Sequence, residues 1–529
     1  MKKILAALLC IAAILSLLAG CGGSSTPAAP AADNGAQAPA APADGEKNTA
    51  VTIGYVIAHN PAYPSSPNFD DFIQQGMIYD KLFDVDDVTG EYYSPLLESY
   101  EWTDDVTLHM VLKDGITFND GKVMTMDDVL FSMQNYMRAE TTDKVQYYAH
   151  IDFDASKVSE DGKVLDLVWK DAYGPALRTL NCAVMEKEFT EEHIEDTDEI
   201  WYTAPVGSGP YVVKECVKNS YVVYTLREDY WDTSRTFDAD EITLKFYTDS
   251  SAMYMDYVAG NLDVIYDVGA EVISKIEADP GLGTVTLVPD NDVVYIHLNE
   301  DNEILSDPKV REAIAYALDM DYITEVCYGP LGTPATSHFA SGFDAYTEHE
   351  RYPYDPEKAA AILKEAGYGP GDISLRWISP EMPPEPQIGE CMQALLEAVG
   401  ISVSVETPEF ATALGSHLQG ITDISDSHTM GGNPAKEPDN SLSAFYEGGA
   451  FTSFSISEPD YNALYYAGLN TTDEAERWEA YKALDAWLWD NFMVLPVCEV
   501  NKAIVYNSRI AEFPASAIGR SCLGSLKLA

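Results

Sequence analysis

Pro205-Val206-Gly207-Ser208-Gly209-Pro210-Tyr211 packs two glycines and two prolines into seven residues. Proline fixes φ at about −65° and glycine takes φ > 0 at no steric cost, so a rigid, sharply turned crossing is expected here. Downstream, Tyr211-Val212-Val213 and Tyr221-Val222-Val223-Tyr224-Thr225-Leu226 are β-branched and aromatic runs joined by Lys218-Asn219-Ser220, which predicts a hairpin. Alone, the stretch is a turn before a hairpin. What it joins depends on the rest of the chain.

A chain of 529 residues is too long for one core, so two or three domains are expected. Hydrophobic residues at 46% and aromatics at 11% suffice for packed interiors. The 32 Lys and Arg stand against 86 Asp and Glu, a net charge of −54. Such a field repels phosphate backbones and anionic headgroups, so neither nucleic-acid binding nor basic-patch membrane docking is expected.

Met1-Lys2-Lys3 is a short cationic start, and the run from Ile4 to Leu18 is almost unbroken apolar. That order is a secretory signal rather than a spanning helix. Leu18-Ala19-Gly20-Cys21 resembles the lipobox of bacterial lipoproteins, in which the cysteine is acylated and becomes the mature N-terminus. Residues 1–20 are therefore expected to be the signal peptide. Residues 21–48, rich in Gly, Ser, Pro and Ala, should form a flexible tether from a membrane anchor at Cys21. Cys182, Cys216, Cys327, Cys391, Cys498 and Cys522 remain; disulfides and buried thiols are both open readings, and no CxxC supports zinc or redox chemistry.

The folded part opens with a strand, Val51 to Ile57, and the polar, aromatic loop His59-Asn60-Pro61-Ala62-Tyr63-Pro64. Residues 74–83 read as a helix, 107–113 as a strand, and Lys113-Asp114-Gly115, Asn119-Asp120-Gly121 and Asp161-Gly162 as tight turns. Thr125 with Asp128 three residues on predicts a capped helix. Later, Asp307-Pro308 and Asp355-Pro356 each start a helix, the first with Val310, Ala313, Ile314, Ala317 and Leu318 on one face. Gly367 stops the second. Helices and strands alternating from Asn291 to Asn491 predict an α/β lobe with a largely parallel sheet. The short strands Val494–Val497 and Ala503–Tyr506 should return to the first domain.

Leu96-Leu97-Glu98-Ser99, Trp102, the run from Leu112-Lys113-Asp114-Gly115 to Asn119-Asp120-Gly121, and Thr125-Met126-Asp127-Asp128 together resemble one family. It is the peptide/nickel-type extracellular solute-binding proteins, bacterial family 5, which serve ABC importers. Pro205–Tyr211 with Asp229-Tyr230-Trp231, then Gly260-Asn261-Leu262-Asp263, Asp307–Asp319 and Tyr354–Tyr368 are similar to its later blocks, in family order. The resemblance implies an α/β, two-lobed periplasmic-binding-protein-like fold with an additional α+β inserted domain and a ligand cleft between the lobes. Its expected parts are lobe 1 (49–90, 201–290 and 492–529), the inserted domain (91–200) and lobe 2 (291–491). It further implies capture of a small solute, most often a peptide, for an ABC permease and ATPase, by a monomer without enzyme activity. A metal chelate, a sugar, another small organic, or a sensor or adhesin role are the alternatives.

By the same resemblance the solute contacts are Asn60 and Tyr63 on the first loop, Tyr295 at the second crossing, and Asp439 and Asn440 in Glu437-Pro438-Asp439-Asn440. Peptide-binding relatives often place an Asp just before this block to pair with the substrate's ammonium. Here Met430 to Lys436 supplies none, and Asp426 lies further upstream. No Gly-x-Ser-x-Gly, His-Glu-x-x-His or phosphate loop is present, and no cofactor or metal site is expected. Asp84, Asp86 and Asp87 lack the other ligands of a calcium loop, and His59, His297 and His428 are scattered and read as structural.

Overall fold

The computed structural model describes residues 48–56, 76–85, 91–138, 144–194, 199–429, 437–442, 456, 458–513 and 523–529. The signal, Cys21 and the tether fall outside these residues, apart from Asn48, as do Asn60, Tyr63 and Cys522. Thr49–Ala529 forms one compact unit. Among the described residues no helix is long and apolar enough to cross a membrane, and no two cysteines are joined.

The principal sheet has eleven described strands. Its order runs Ile401–Glu406, Ile373–Ile378, Ile424–His428, Thr284–Leu298, Val494–Tyr506, Val264–Tyr266, Ala50–Tyr55, Glu241–Phe246, Tyr221–Leu226, Tyr211–Val217, with Gly332–Pro334 added on Val494–Tyr506. Two long strands lie at its middle. Thr284–Leu298 and Val494–Tyr506 run antiparallel from Thr284↔Tyr506 to His297↔Val494. The two short strands expected after Phe492 are therefore one strand of 13 residues.

Each end of this pair enters a different core. Val288 and Ile504 pack with Ile53, Ile242, Leu244 and Tyr266. Val294, Ile296, Leu298, Leu495 and Val497 pack with the buried faces of helices Pro308–Ala317, Pro356–Glu365 and Glu385–Ala398. The fold is α/β and two-lobed, with the strand pair shared between the lobes. The second lobe's sheet is parallel at Ile373–Ile378 with Ile401–Glu406 and Ile424–His428, but antiparallel where Ile424–His428 meets Thr284–Leu298. The largely parallel sheet expected there holds only away from the strands that arrive from the other lobe.

A separate four-stranded sheet comprises Leu97–Asp104, Thr107–Leu112, Val164–Val168 and Lys157–Val158. Leu108, Met110, Leu165 and Leu167 share a core with Met126, Val129 and Met133 of helix Met126–Tyr136. Asp128 Oδ2 accepts from Thr125 N at 2.8 Å, closing the N-terminus as its sequence predicts. Asp307 and Asp355 likewise cap their helices through Lys309 N and Lys358 N.

The stretch Pro205–Tyr211 is a close approach rather than a φ > 0 turn: neither Gly207 nor Gly209 has positive φ. A Cβ on Gly207 would lie 2.1 Å from the Ile78 carbonyl oxygen, and one on Gly209 2.5 Å from the Ile78 carbonyl carbon. Gly209 N donates to Ile78 O at 2.7 Å, and buried Arg227 reaches the carbonyls of Gly207, Ser208 and Gly209 at 3.3–3.5 Å. Beyond it the hairpin forms as expected, with Asn219 left-handed at φ 59°. Of the helix expected over 74–83, the described residues 76–83 form one only at 76–78. Met77, Ile78, Tyr79, Leu82 and Phe83 are all buried, so the segment has no polar helical face; it runs extended, bridging Lys81 to Ala183.

Candidate functional site

The strand pair that joins the lobes is irregular at two places near their junction, one of them a shift between Val294 and Tyr295. Its register breaks between Pro289 and Asp292, leaving Asp290 and Asn291 as a bulge, and Asn291 sits at φ 53°. Asn tolerates this left-handed region better than most residues, and a bulge lets a strand bend without losing the ladder on either side. Lys502 on the partner strand lies 3.5 Å from Asp267 and 3.9 Å from Asp290, so the bend is flanked by charge.

Past the bulge, alternate residues face opposite ways. Val293 and Tyr295 enter an aromatic cluster with Phe339, Phe343, Tyr461, Tyr465 and Tyr481. The Tyr295 and His338 rings lie 5.2 Å apart, and burial pushes the His338 imidazole down to about 4. Helix Pro459–Leu469 supplies Tyr461 and Tyr465; helix Glu474–Asp490 supplies Tyr481 and, on the same buried stripe, Arg477.

Against these helices lies the short helix Asp439–Leu442. The Tyr465 hydroxyl donates to Asp439 Oδ1 at 2.5 Å. Burial raises the Asp439 carboxyl to about 6, and the charge of Glu437 adds to it. Glu437 Oε1 accepts from Arg477 Nη2 at 2.5 Å and from Asp439 N at 3.1 Å, while Arg477 Nε donates to Gly468 O at 3.1 Å. Tyr295 and Asp439 thus belong to one neighbourhood, linked by Tyr461, which packs in the cluster of Tyr295 and donates to Leu442 O on the short helix of Asp439 at 3.2 Å. Asn440 follows Asp439 on the same short helix.

The segment after the four-stranded sheet meets this neighbourhood. A Cβ on Gly174 would lie 2.4 Å from Gly468 O and 2.5 Å from Arg477 Nε, a contact only glycine permits. Tyr173 stacks on His150 with ring centroids 4.0 Å apart. Its phenol is held neutral chiefly by burial, then by Asp439, across the junction. Arg178 closes the edge: Nη2 lies 3.0 Å from Asp344 Oδ2, Nε 2.9 Å from Glu474 Oε1, and the guanidinium 4.7 Å above the Trp478 ring.

One Ser–Asp–His grouping does not make a relay. Ser337 Oγ and His349 Nε2 both lie 2.8 Å from Asp485 Oδ2, so the hydroxyl donates to the carboxylate and not to an imidazole base. The grouping ties a loop to helix Glu474–Asp490.

Residues 91–453, more than half of the chain, match the family model of bacterial extracellular solute-binding proteins, family 5. The chain belongs to that family. Family-5 proteins are the extracytoplasmic solute-binding components of ABC importers. Among the relatives of this family-5 protein are heme-binding protein A of Haemophilus influenzae, 25% identical over 472 residues covering 84% of this chain and 85% of the relative. The dipeptide-binding protein of Escherichia coli is 25% identical over 447 residues, 78% of this chain and 82% of its own. The solved ABC transporter substrate-binding protein CtaP of Listeria monocytogenes shares the fold with a TM-score of 0.78 at 21% identity, covering 91% of this chain and 100% of that one. These relatives are solute-binding proteins, not enzymes.

Tyr173, Gly174, Arg178, Tyr465 and Arg477 were not singled out by the sequence. Arg477 carried a signal: with Tyr481, Leu484, Asp485 and Leu488 it lies on the buried stripe of its helix, where an arginine requires a buried anion. The others carried none, because their roles arise only where segments distant in sequence meet.

Proposed function

We propose that this family-5 protein captures a peptide between its lobes and delivers it to the permease and ATPase of an ABC importer, bending about Asp290 and Asn291. The observation that carries the peptide reading is the charge balance at the junction. Among the described residues, Arg477 is bonded to one of two buried carboxylates, Glu437, and forms no hydrogen bond to the other, Asp439. A buried carboxylate left mainly to phenols is a costly place for an anionic ligand and a favourable one for an ammonium. A peptide supplies that ammonium, together with side chains that a wall of tyrosines accepts. The dipeptide-binding relative supports the same reading.

In this reading Asn60, Tyr63, Tyr295, Asp439 and Asn440 remain the solute-contacting set, and Tyr173 joins them from the inserted domain. Lobe 1 is 49–90, 201–290 and 492–529, the inserted domain 91–200 and lobe 2 291–491. The protein works as a monomer, held at the membrane by acylation of Cys21. Cys21→Ser is then expected to release it into the medium. Native mass spectrometry of the purified protein, with a thermal-shift screen of peptides, hemin and metal chelates, tests the solute. Co-purified or stabilising peptides are expected; stabilisation by hemin or a chelate with no response to any peptide would overturn the assignment.

A further inference from the structure

The face of the crossing strand opposite the tyrosines carries a second polar cluster. Val294 pairs with His428 and Ile296 with Asp426 across the antiparallel ladder, so these side chains share the face that packs on helix Glu385–Ala398. Asp292 lies two residues before Val294 on that face. It follows the bulge directly.

The His428 ring is held as metal-binding imidazoles are held. Its Nδ1 lies 2.6 Å from Asp292 Oδ2. A carboxylate can only accept, so Nδ1 donates to Asp292, and a cation binding at Nε2 would displace the proton that the neighbouring carboxylates favour there. That nitrogen lies 3.7 Å from Glu385 Oε1. One ligand atom each from Glu385, Asp426 and His428 falls within 4.8 Å of the others. Ser379 Oγ donates to Asp426 Oδ1 and fixes that carboxylate. Among the described residues no Lys or Arg forms an ion pair with Asp292, Glu385 or Asp426; the imidazole of His428 is what they face.

Two buried polar atoms here have no hydrogen-bond partner: Glu385 Oε2 and the hydroxyl of Tyr328. Tyr328 is 9% exposed. Burial first, and then Cys498, Asp426, Glu385 and Asp292, hold its phenol well above the ordinary range. Buried polar groups are nearly always satisfied, and an orphaned carboxylate oxygen on a member of a ligand-like cluster calls for an ion or its bound water. A third of the His428 side chain is exposed, so the cluster has an entrance.

We propose that Glu385, Asp426 and His428 form a site for a divalent first-row transition cation such as Zn2+, with Asp292 orienting the imidazole, Ser379 orienting Asp426, and Tyr328 closing the buried side. One imidazole and two carboxylates suit such a cation better than Ca2+ or Mg2+, which take oxygen ligands. All three ligands come from the second lobe, so the ion is a resident of that lobe and not the solute carried between lobes. By gripping Asp292 through His428 it braces the strand where the bulge ends.

The test is titration of chelator-treated, metal-free protein with Zn2+ by calorimetry, and with Co2+ followed by visible absorption. One equivalent is expected to bind, to raise the melting temperature, and to give a Co2+ spectrum that excess Zn2+ abolishes. His428→Gln should remove stoichiometric binding, and Asp292→Asn should weaken it about 10–100-fold, as loss of a ligand-orienting carboxylate does. Glu385→Gln, at a helix N-terminus and partly exposed, provides a second ligand variant should His428→Gln fail to fold. Absence of a bound equivalent, or equal affinity in wild type and Glu385→Gln, would overturn the site and assign any bound cation to the acidic surface.

Discussion

Arg178 donates to Asp344 across the junction between the inserted domain's segment and the second lobe, at 3.0 Å, while its Nε donates to Glu474. The arginine side chain is 11% exposed, but the two acids are 53% and 46% exposed, so solvent screens both pairs. Each is worth about 1 kcal/mol or less. Arg178→Ala is therefore expected to leave the fold intact and to loosen the junction, weakening solute affinity about fivefold and raising the radius of gyration of the unliganded protein in X-ray scattering. Unchanged scattering and affinity would show that the latch holds nothing.

Gly207 and Gly209 press on backbone, which cannot swing aside. With a Cβ placed 2.1 Å from Ile78 O, Gly207→Ala is expected to cost about 3 kcal/mol or more and to reduce soluble yield. Gly269 opens helix Ala270–Ala278 at φ −77° with open space around it. Gly269→Ser, a better N-cap, should be neutral or slightly stabilising. Equal urea midpoints for the two variants would contradict this account of the stretch.

Arg477 and Glu437 are 1% and 3% exposed at their side chains. Removing one member of such a pair strands a buried charge. Arg477→Met should lower stability by about 3–5 kcal/mol, and adding Glu437→Gln should recover part of the loss. Urea unfolding of the single and double variants measures the coupling; additive losses would mean the two groups do not act as a pair.

Two buried histidines and a buried aspartate oppose each other in acid. Burial lowers His338 from 6.5 to about 4 and His297 to about 3, so their stability contribution is complete above pH 6.5 and is lost as the pH falls toward those values. Asp439 has the reverse sign. Raised from 3.8 to about 6, it takes up its proton in the folded state first, and stability gains between pH 6 and 4. Each single group has a limiting slope of about 1.4 kcal/mol per pH unit. His338→Gln should flatten the acid loss measured by urea unfolding at stepped pH, and Asp439→Asn should steepen it. Parallel curves for both variants would contradict the assignments.

Local chemistry was legible in the sequence where it is local in space. The Asp307 and Asp355 caps, the Thr125–Asp128 box and the Asn219 turn each depend on neighbours within a few residues, and each formed as read. Residues 77–83 misled because burial of Met77, Ile78, Tyr79, Asp80, Leu82 and Phe83 overrode the helical pattern. The 13-residue strand Val494–Tyr506 read as two because Glu499, Asn501 and Lys502 interrupt its apolar run at the bend. The junction was hidden for a different reason: Gly174, Arg178, Asp439 and Arg477 are scattered over some three hundred positions and meet only in the fold. Asp426 and His428 lie two residues apart on one strand, but Asp292 and Glu385 reach them from distant segments, so that meeting was hidden as well.

The central claim is that an ammonium-bearing peptide is held at Asp439. Calorimetric titration of wild type and Asp439→Asn with a matched pair, a stabilising peptide and its N-acetyl derivative, tests it directly. The account predicts binding of the free peptide to wild type, with affinity falling at least about tenfold on N-acetylation or on Asp439→Asn and little further when both are combined. Equal affinity for the free and acetylated peptides would contradict it.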